Sequence, residues 1–419
     1  MTQRVAMISV HTCPLATLGG KETGGMNVYV RDLTRELARR GIAVDVYTRS
    51  QDASIPRITG QQRLGERARV IHIPAGPEQP LDKNVVLDHL PEFVERTLDF
   101  AQREGLRYDV IHSHYWLSGW AARDLRAAWG APIVQMFHTL GHFKNLVAAP
   151  SERESERRIA IERQIMQFAD RLIAATPIEK SEMMTAYGAD ESRIAVVPPG
   201  VDRRLFHPIP RAEAQAHFGM PPNHHMVLFV GRIQPLKGID ILIRAMKRVT
   251  DQMPNWQEDL CVCIIGSDGA DGGDTNQTEM KRLEQLRNEL GIGELVMFMG
   301  ARDQDQLVWH YSAADVVVMP SHYESFGMVA LEAMACGTPV IGADVGGLSF
   351  SIQNGYNGFL VPGRDPDALA DKILLLIRHP FLRDQLGEQA RQTTERYDWP
   401  NIAAEILEVY RKLDTGRGG

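Results

Sequence analysis

The segment 314–342 constrains the fold more than any other part of this chain. An apolar, β-branched run at 314–320 predicts a buried parallel strand, and good helix formers fill 328–335. Gly337 stands where a glycine ends a helix, and 338–341 predicts the next strand. These elements form one unit of a parallel α/β sheet. The loop before the helix therefore lies at the carboxyl edge of the sheet, where open sheets bind ligands.

Two carboxylates frame this unit, Glu324 in the loop and Glu332 two helical turns along. The helix starts within the run Ser325, Phe326, Gly327 and Met328. Free backbone N–H groups and the positive end of the helix dipole favour an anion there, such as a diphosphate. Glu332 is placed to accept hydrogen bonds from ribose hydroxyls, and Glu324 from a sugar. Either glutamate alone also fits an exposed acidic residue, but the pair at this spacing predicts a sugar-nucleotide site.

Length and charge narrow the class of protein. A chain of 419 residues is too long for one compact core, so we expect two domains. A net charge of -7 gives no basic surface for nucleic acid. The first ten residues predict a strand and not a signal peptide, and no apolar run approaches the length of a membrane span. We therefore expect a cytoplasmic protein with no nucleic-acid partner and no membrane span.

A glycine-rich loop containing Gly24 and Gly25 follows the first predicted strand. Glycines there let a ligand or a second domain approach the backbone closely. A dinucleotide-binding enzyme would carry Gly-x-Gly-x-x-Gly directly after the strand, whereas here a long insert precedes Gly24. Asn27, just beyond, fits either a ligand contact or a cap of the helix start. A dehydrogenase is therefore disfavoured.

Further polar residues of the first half follow predicted strands. The predicted strand 108–116 has a polar and aromatic end that includes Tyr115, and strand 132–137 leads into His138 and Thr139. Lys83 falls in a predicted loop, and Arg158 falls on the charged helix predicted at 154–168. Taken alone, each of these residues has a structural or solvent-exposed interpretation. The Pro- and Gly-rich stretch 199–210 marks a domain boundary.

The second half repeats the alternation of strands and helices. Strand 226–230 is followed by Arg232 and Lys237, two cations that suit a pyrophosphate at the same sheet edge as Glu324. Strand 295–299 leads to Arg302. No Asp-x-Asp pair lies in a donor-site strand, so we expect the diphosphate charge to be met by Arg232, Lys237 and backbone N–H groups. The sequence therefore predicts no metal and no cofactor.

The run ESFGMVALEAMACGTPVIG and the pattern Gly-Arg-x4-Lys-Gly at 231–238 resemble the donor-binding signature of the retaining glycosyltransferases of family 4. The resemblance extends over most of the chain and implies the GT-B fold, two Rossmann-like α/β domains whose parallel sheets face each other across a cleft. Residues 1–204 would bind the acceptor, and a helix at about 398–413 would return to them. Residues 205–397 would bind the nucleotide sugar. Activity would then require domain closure.

The resemblance also implies roles for individual residues. Arg232 and Lys237 would clamp the diphosphate, Glu324 would hold the sugar, and His138 would reach the donor hexose. Gly25 would lie at the diphosphate, Asn27 near the acceptor and Arg302 at the nucleotide base. The catalytic set is thus His138, Arg232, Lys237 and Glu324. Donor contacts come from Gly25, Arg302, Ser325, Phe326, Gly327, Met328 and Glu332.

Within family 4, the first half resembles two groups that glycosylate phosphorylated acceptors. Sucrose-phosphate synthases use fructose 6-phosphate, and the mycothiol-pathway transferases add N-acetylglucosamine to inositol phosphate. Four residues occupy the positions of the phosphate pocket in the latter group: Lys83, Tyr115, Thr139 and Arg158. The loop Glu22-Thr23-Gly24-Gly25 is close to the Asp-Thr-Gly-Gly of the former group.

We therefore expect a retaining hexosyltransferase with a small sugar phosphate as acceptor. UDP-glucose and fructose 6-phosphate are the favoured pair. The alternatives are transfer from UDP-N-acetylglucosamine to inositol phosphate and the activity of another family 4 member. A sugar-nucleotide epimerase or an α-glucan phosphorylase would also fit the fold, and a non-catalytic sugar-nucleotide-binding protein is a further alternative. The sequence leaves the donor base and the oligomeric state open.

Overall fold

A computed structural model describes residues 2–17, 24–267 and 274–414. Its first half is a sheet with helices on both faces. The strands are β1 (Arg4–Ile8), β2 (Ala43–Arg49), β3 (Ile58–Thr59), β4 (Ala68–Ile73), β5 (Val110–His114), β6 (Ile133–Met136), β7 (Arg171–Ala174) and β8 (Ile194–Val196). The helices are α1 (Gly25–Arg39), α2 (Gln61–Leu64), α3 (Lys83–Asp88), α4 (Leu90–Arg103), α5 (Tyr115–Trp129), α6 (Gly141–Val147), α7 (Glu156–Phe168) and α8 (Pro177–Tyr187).

The second half is a smaller sheet of the same kind. The strands are β9 (His225–Val230), β10 (Leu260–Ile265), β11 (Val296–Phe298), β12 (Val316–Met319), β13 (Val340–Ala343) and β14 (Gly358–Val361). The helices are α9 (Arg211–His217), α10 (Ile239–Thr250), α11 (Trp256–Asp259), α12 (Asp274–Glu289), α13 (Gln304–Ala313), α14 (Met328–Ala335), α15 (Leu348–Ser351), α16 (Pro366–Arg378), α17 (Pro380–Thr393) and α18 (Trp399–Asp414).

The chain forms two sheets, and the loops that follow their parallel strands lie along the carboxyl edge of each sheet. The first sheet has the order β3-β4-β2-β1-β5-β6-β7-β8, and among its described strands only β3 is antiparallel to its neighbour. The second has the order β11-β10-β9-β12-β13-β14, and its described pairs are parallel. Because apolar side chains cover both faces of such strands, the cores form on both sides of each sheet. The predicted α/β architecture is confirmed.

The unit at 314–342 folds as predicted, with β12, α14 and β13 in that order. Three expectations in the first half were wrong in detail. The strand expected over 108–116 ends at His114, and Tyr115 begins helix α5. Lys83 is the first residue of α3 and not a loop residue, because the Asp82 side chain caps the helix by accepting from Asn84 N. The helix expected from 154 begins at Glu156, because Ser155 caps it by accepting from Arg158 N at 3.2 Å. Glu154 therefore precedes the helix.

The loops at the carboxyl edges of the two sheets face each other. A Cβ at Gly25, the first residue of α1, would lie 3.3 Å from Met328 Sδ at the start of α14. Arg31 Nη2 of α1 donates to Gln304 Oε1 of α13 at 2.7 Å. The C-terminal helix α18 packs back on the first half, where the Tyr410 hydroxyl lies 2.7 Å from His112 Nδ1. No helix among the described residues is long and apolar enough to cross a membrane.

Candidate active site

On the second domain, the loops after β9 and β12 bring a lysine and a glutamate together. Lys237 Nζ lies 2.6 Å from Glu324 Oε2. The two loops are in direct contact, since Gly238 has φ 64° and a Cβ there would lie 2.2 Å from the Pro320 carbonyl oxygen. Glycine is required at Gly238 for both its conformation and this approach. The pair predicted from two distant sequence patterns therefore forms one site.

The backbone of Glu324 is fixed from the side of β13. Gly347 N donates to the Glu324 carbonyl oxygen at 2.9 Å, and a Cβ on Gly346 would lie 2.1 Å from the same oxygen. Gly327, with φ 91°, is the residue from which α14 starts, and no described side chain caps that start. The N–H groups at the beginning of α14 are therefore left without a described side-chain cap, as an anion site needs.

Glu332 is buried in α14, four residues beyond its first residue, Met328. Its Oε2 accepts from the Tyr311 hydroxyl at 2.8 Å and its Oε1 from Gln304 Nε2 at 3.1 Å. Burial raises the pKa of this carboxyl to about 7, against the smaller opposing effects of these hydrogen bonds and of Arg31. The sequence predicts that the Glu332 carboxylate binds ribose. Tyr311 and Gln304, which the sequence did not identify, hold this carboxylate in one orientation.

The remaining donor-side residues lie around the same edge. Arg232 follows β9 and is exposed. Arg302 follows β11, is partly exposed and donates from Nη1 to the Ala301 carbonyl oxygen at 2.9 Å. Ser325 is partly exposed beside Glu324, whereas Phe326 is buried and its ring packs 6.0 Å from that of Tyr397. Phe326 therefore packs into the protein interior and supports the loop that carries Glu324.

In the first domain, the residues after β5 and β6 adopt a left-handed backbone conformation, which residues other than glycine rarely adopt. Tyr115, after β5, has φ 74°, and His138, after β6, has φ 62°. His138 is partly exposed, and its Nε2 lies 3.0 Å from His114 Nδ1. Burial lowers the pKa of His138 to about 3, so the imidazole is neutral at pH 7. Such strained positions cluster at functional sites.

Asn27 is buried and hydrogen-bonded on all sides. Its Nδ2 donates to Thr12 Oγ1 at 2.6 Å and to the Cys13 carbonyl oxygen at 2.7 Å, and its Oδ1 accepts from Gly24 N at 3.0 Å. The side chain thus ties the loop after β1 to the start of α1, which is the capping interpretation. Glu22 and Thr23 of the same loop lie outside the described residues.

Arg158 is the centre of the proposed acceptor pocket and is 1% exposed. Its Nη1 donates to the Tyr115 hydroxyl at 2.8 Å, and its Nη2 donates to Thr139 Oγ1 at 3.0 Å and to the Thr139 carbonyl oxygen at 2.8 Å. Its Nε donates to Glu162 Oε1 at 2.7 Å. The interpretation of Arg158 as part of a solvated helix face is therefore wrong, and three of the four predicted pocket residues are in contact.

Lys83, the fourth predicted residue, joins the others through a carboxylate. Its Nζ lies 3.6 Å from Glu154 Oε1, which also contacts Lys144 Nζ at 2.6 Å and Arg158 Nη1 at 3.0 Å. Sequence reasoning identified neither Lys144 nor Glu154. Lys144 carried no signal beyond its place six residues after His138, and Glu154 was assigned to the helix that it precedes.

The loop at Glu324 and the predicted acceptor pocket around Arg158 are adjacent. Tyr323, next to Glu324, lies near the backbone of Leu140 and near Arg158, since both lower the pKa of its hydroxyl against the larger effect of burial. Glu152, in the segment before α7, lies near Lys144 and the backbone of Leu236, since both lower the pKa of its carboxyl against the larger effect of burial. A cleft with two separate groups of cations can hold two anionic substrates side by side. Among residues 2–17, 24–267 and 274–414, no three His, Cys, Asp or Glu residues lie close enough together to hold a metal ion.

Two family models match this chain, one in each half. The model of Glycosyltransferase Family 4 matches residues 23–205, and that of Glycosyl transferases group 1 matches residues 210–393. A D-inositol 3-phosphate glycosyltransferase of Nocardiopsis dassonvillei is 41% identical over 99% of this chain and 95% of its own. A protein of the same name from Acidothermus cellulolyticus is 43% identical over 98% of this chain and 90% of its own.

Among solved structures, sucrose-phosphate synthase from Thermosynechococcus elongatus is similar with a TM-score of 0.89 and 35% identity, over 99% of this chain and 100% of the other. HepE from Anabaena, solved with UDP, shares the fold with a TM-score of 0.75 and 21% identity, over 98% of this chain and 100% of the other. Both halves of the chain and nearly its whole length are covered by these matches. The chain is therefore a GT-B glycosyltransferase and belongs to family 4.

Proposed function

We propose that this enzyme transfers a hexosyl unit, with retention of configuration, from a uridine diphosphate sugar to D-inositol 3-phosphate. The observation that carries the proposal is the buried cationic pocket around Arg158, which lies beside the donor loop at Glu324. A charged, hydrogen-bonded pocket of this kind suits a phosphate on the acceptor. The relatives from Nocardiopsis and Acidothermus, named for inositol 3-phosphate, support the choice of acceptor. The family resemblance then implies N-acetylglucosamine as the sugar.

The donor would lie against the second domain. Arg232, Lys237 and the N–H groups at the start of α14 would hold the diphosphate, and these contacts strengthen as the glycosidic bond breaks and negative charge grows on the leaving group. Glu324, ion-paired with Lys237, would orient the sugar together with the neutral His138. The leaving phosphate oxygen would take the acceptor's proton on the same face of the sugar. No covalent sugar–enzyme intermediate is then required.

Fructose 6-phosphate, which the sequence favoured, becomes the second candidate acceptor. One observation supports this second candidate: the sucrose-phosphate synthase structure aligns over 99% of this chain at 35% identity. Both acceptors carry one phosphate monoester and would place it in the same pocket. They differ in the ring that faces the donor sugar, so a direct competition between them decides the assignment.

Product analysis tests the proposal. The purified full-length chain is incubated with UDP-N-acetylglucosamine or UDP-glucose, each with inositol 3-phosphate, fructose 6-phosphate or the unphosphorylated sugars, and products are identified by mass spectrometry. We expect a glycosylated inositol phosphate at the highest rate and no product from free inositol. A higher rate with fructose 6-phosphate would move the assignment to the second candidate, and equal rates with unphosphorylated acceptors would refute the phosphate pocket.

The raised pKa of Glu332 gives a prediction for donor binding. Because this carboxyl has a pKa of about 7, it is mostly ionised at pH 8 and mostly neutral at pH 6. The ionised form accepts hydrogen bonds from ribose hydroxyls better, so the Kd for UDP should rise by about tenfold from pH 8 to pH 6 in excess of the titration of UDP itself. Calorimetric titration of the Glu332→Gln variant supplies the reference. Parallel pH profiles for the variant and the parent protein would contradict the assigned role.

A further inference from the structure

Three cationic side chains of the first domain converge on a single carboxylate oxygen. Lys83 comes from the start of α3, Lys144 from α6 and Arg158 from α7, and their nitrogens lie 3.6, 2.6 and 3.0 Å from Glu154 Oε1. The three cations come from separate elements, so the cluster is a product of the tertiary fold. A single oxygen with three cationic partners is the arrangement that a phosphate oxygen would receive.

Two carboxylates contact these three cations. Lys83, Lys144 and Arg158 carry three positive charges, and the carboxylates in contact with them, Glu154 and Glu162, carry two negative ones. Without Glu154 the group would lose one of these two negative charges and would attract an anion more strongly. Glu162 is fully buried and bonded to Arg158 Nε, whereas Glu154 is partly exposed. Glu154 is thus the carboxylate that can leave.

The backbone and the side chain of Glu154 are held by different partners. Asn145 binds the backbone on both sides, since its Oδ1 accepts from Glu154 N at 2.7 Å and its Nδ2 donates to the Glu154 carbonyl oxygen at 2.9 Å. The side chain is held by the three cations, and these lower its pKa to about 2 against the effect of burial. A rotation about the side-chain bonds would therefore remove the carboxylate without moving the chain.

We propose that the Glu154 carboxylate occupies the position of the acceptor's phosphate in the unliganded enzyme and rotates out when the acceptor binds, and that Lys144 is a further ligand of that phosphate. The proposal rests on the proposed function, because it takes the acceptor to be phosphorylated. A dianionic phosphate attracts the three cations more strongly than a carboxylate does, so it can displace Glu154. A neutral acceptor cannot, and Glu154 therefore selects for phosphorylated acceptors.

The competing interpretation makes Glu154 a permanent counter-ion that holds the three cations in place for the ligand. The two interpretations predict opposite signs for one substitution. If Glu154 competes with phosphate, Glu154→Gln removes the competitor and tightens anion binding. If Glu154 organises the site, the same substitution lets the cations separate and weakens anion binding. Glutamine has nearly the size of glutamate and keeps one acceptor oxygen, so the substitution removes the charge with little change in volume.

Calorimetric titration of the full-length chain with inorganic phosphate measures this sign without any requirement for turnover. We expect Glu154→Gln to lower the Kd for phosphate by about tenfold, which is the loss of one competing charge worth about 1.4 kcal/mol. Lys144→Gln should raise the Kd. Glu156→Gln, two residues further on and exposed at the start of α7, is the matched control and should leave the Kd unchanged.

Weaker phosphate binding, or none, in Glu154→Gln would overturn the proposal, as would an unchanged Kd in Lys144→Gln. If Glu154→Gln does not fold, Glu154→Asp withdraws the carboxylate by one methylene and should also lower the Kd. Steady-state kinetics separates this proposal from the proposed function. A parent enzyme that fails to glycosylate any sugar phosphate refutes the function, while the phosphate titrations still decide the role of Glu154.

Discussion

Replacing Arg232 or Lys237 with alanine should lower kcat by about 10²- to 10³-fold, which corresponds to a loss of about 2.7–4 kcal/mol of transition-state stabilisation for one donor to a developing oxyanion. Both cations follow β9 at the carboxyl edge of the second sheet, where the proposed diphosphate would gain negative charge as the sugar departs. The interaction is stronger in the transition state than in the ground state, so kcat should fall far more than KM for the donor rises.

The structure predicts a difference between the two variants. Lys237 also holds Glu324 through a 2.6 Å ion pair, so Lys237→Ala would release the carboxylate proposed to orient the sugar and should reduce kcat more than Arg232→Ala does. Lys247→Ala is the control, because that lysine lies on α10 and is ion-paired with Asp251 at the surface. Steady-state kinetics of the three variants makes the test. A raised KM with kcat unchanged would show that these cations only bind the donor.

Arg158→Ala should destabilise the first domain by about 3–5 kcal/mol as well as abolish acceptor binding, because it leaves buried Glu162 without its cation. The side chain also stacks over the Tyr115 ring, with Cζ 4.7 Å from the ring centroid. Differential scanning calorimetry should show a clear fall in Tm. Arg157→Ala is the matched control, since the ion pair of Arg157 with Asp88 is exposed on both sides, and its Tm should be unchanged.

Stability and binding can be separated with Lys83→Ala. Lys83 lies at the edge of the same cluster, and its removal leaves Glu154 with two other cations. We therefore expect a raised KM for inositol 3-phosphate, an unchanged KM for the donor and little change in Tm. If Arg158→Ala and Arg157→Ala have the same Tm, the buried charge network does not stabilise the fold. If Lys83→Ala leaves the acceptor KM unchanged, Lys83 does not contact the phosphate.

The donor half was predictable because its signals are local. The strand, helix and second strand at 314–342 follow from β-branched runs, helix formers and one glycine, and the parallel sheet then places Glu324 at the same edge as Lys237. The glycine contacts that fix Glu324 were not predictable. Gly346 and Gly347 come from the loop after β13, and only the folded structure brings them against the Glu324 carbonyl oxygen.

The acceptor half depended on the family resemblance, since its local signals point elsewhere. Arg158 lies in a helix with charged residues all around it, and a surface face is the ordinary interpretation of such a pattern. It is buried because Tyr115 from α5 and Thr139 from the loop after β6 supply acceptors for its guanidinium, and sequence spacing does not show that these elements meet. Lys144 and Glu154 were missed for the same reason.

The central claim is that the enzyme retains configuration while it glycosylates a phosphorylated inositol. The measurement that tests it most directly is a proton NMR spectrum of the product formed from UDP-N-acetylglucosamine and D-inositol 3-phosphate, with the anomeric coupling constant and the phosphorus signal recorded together. We expect an α-linked sugar, as in the donor, on an inositol that still carries its phosphate. A β-linked product, or transfer only to an unphosphorylated acceptor, would contradict it.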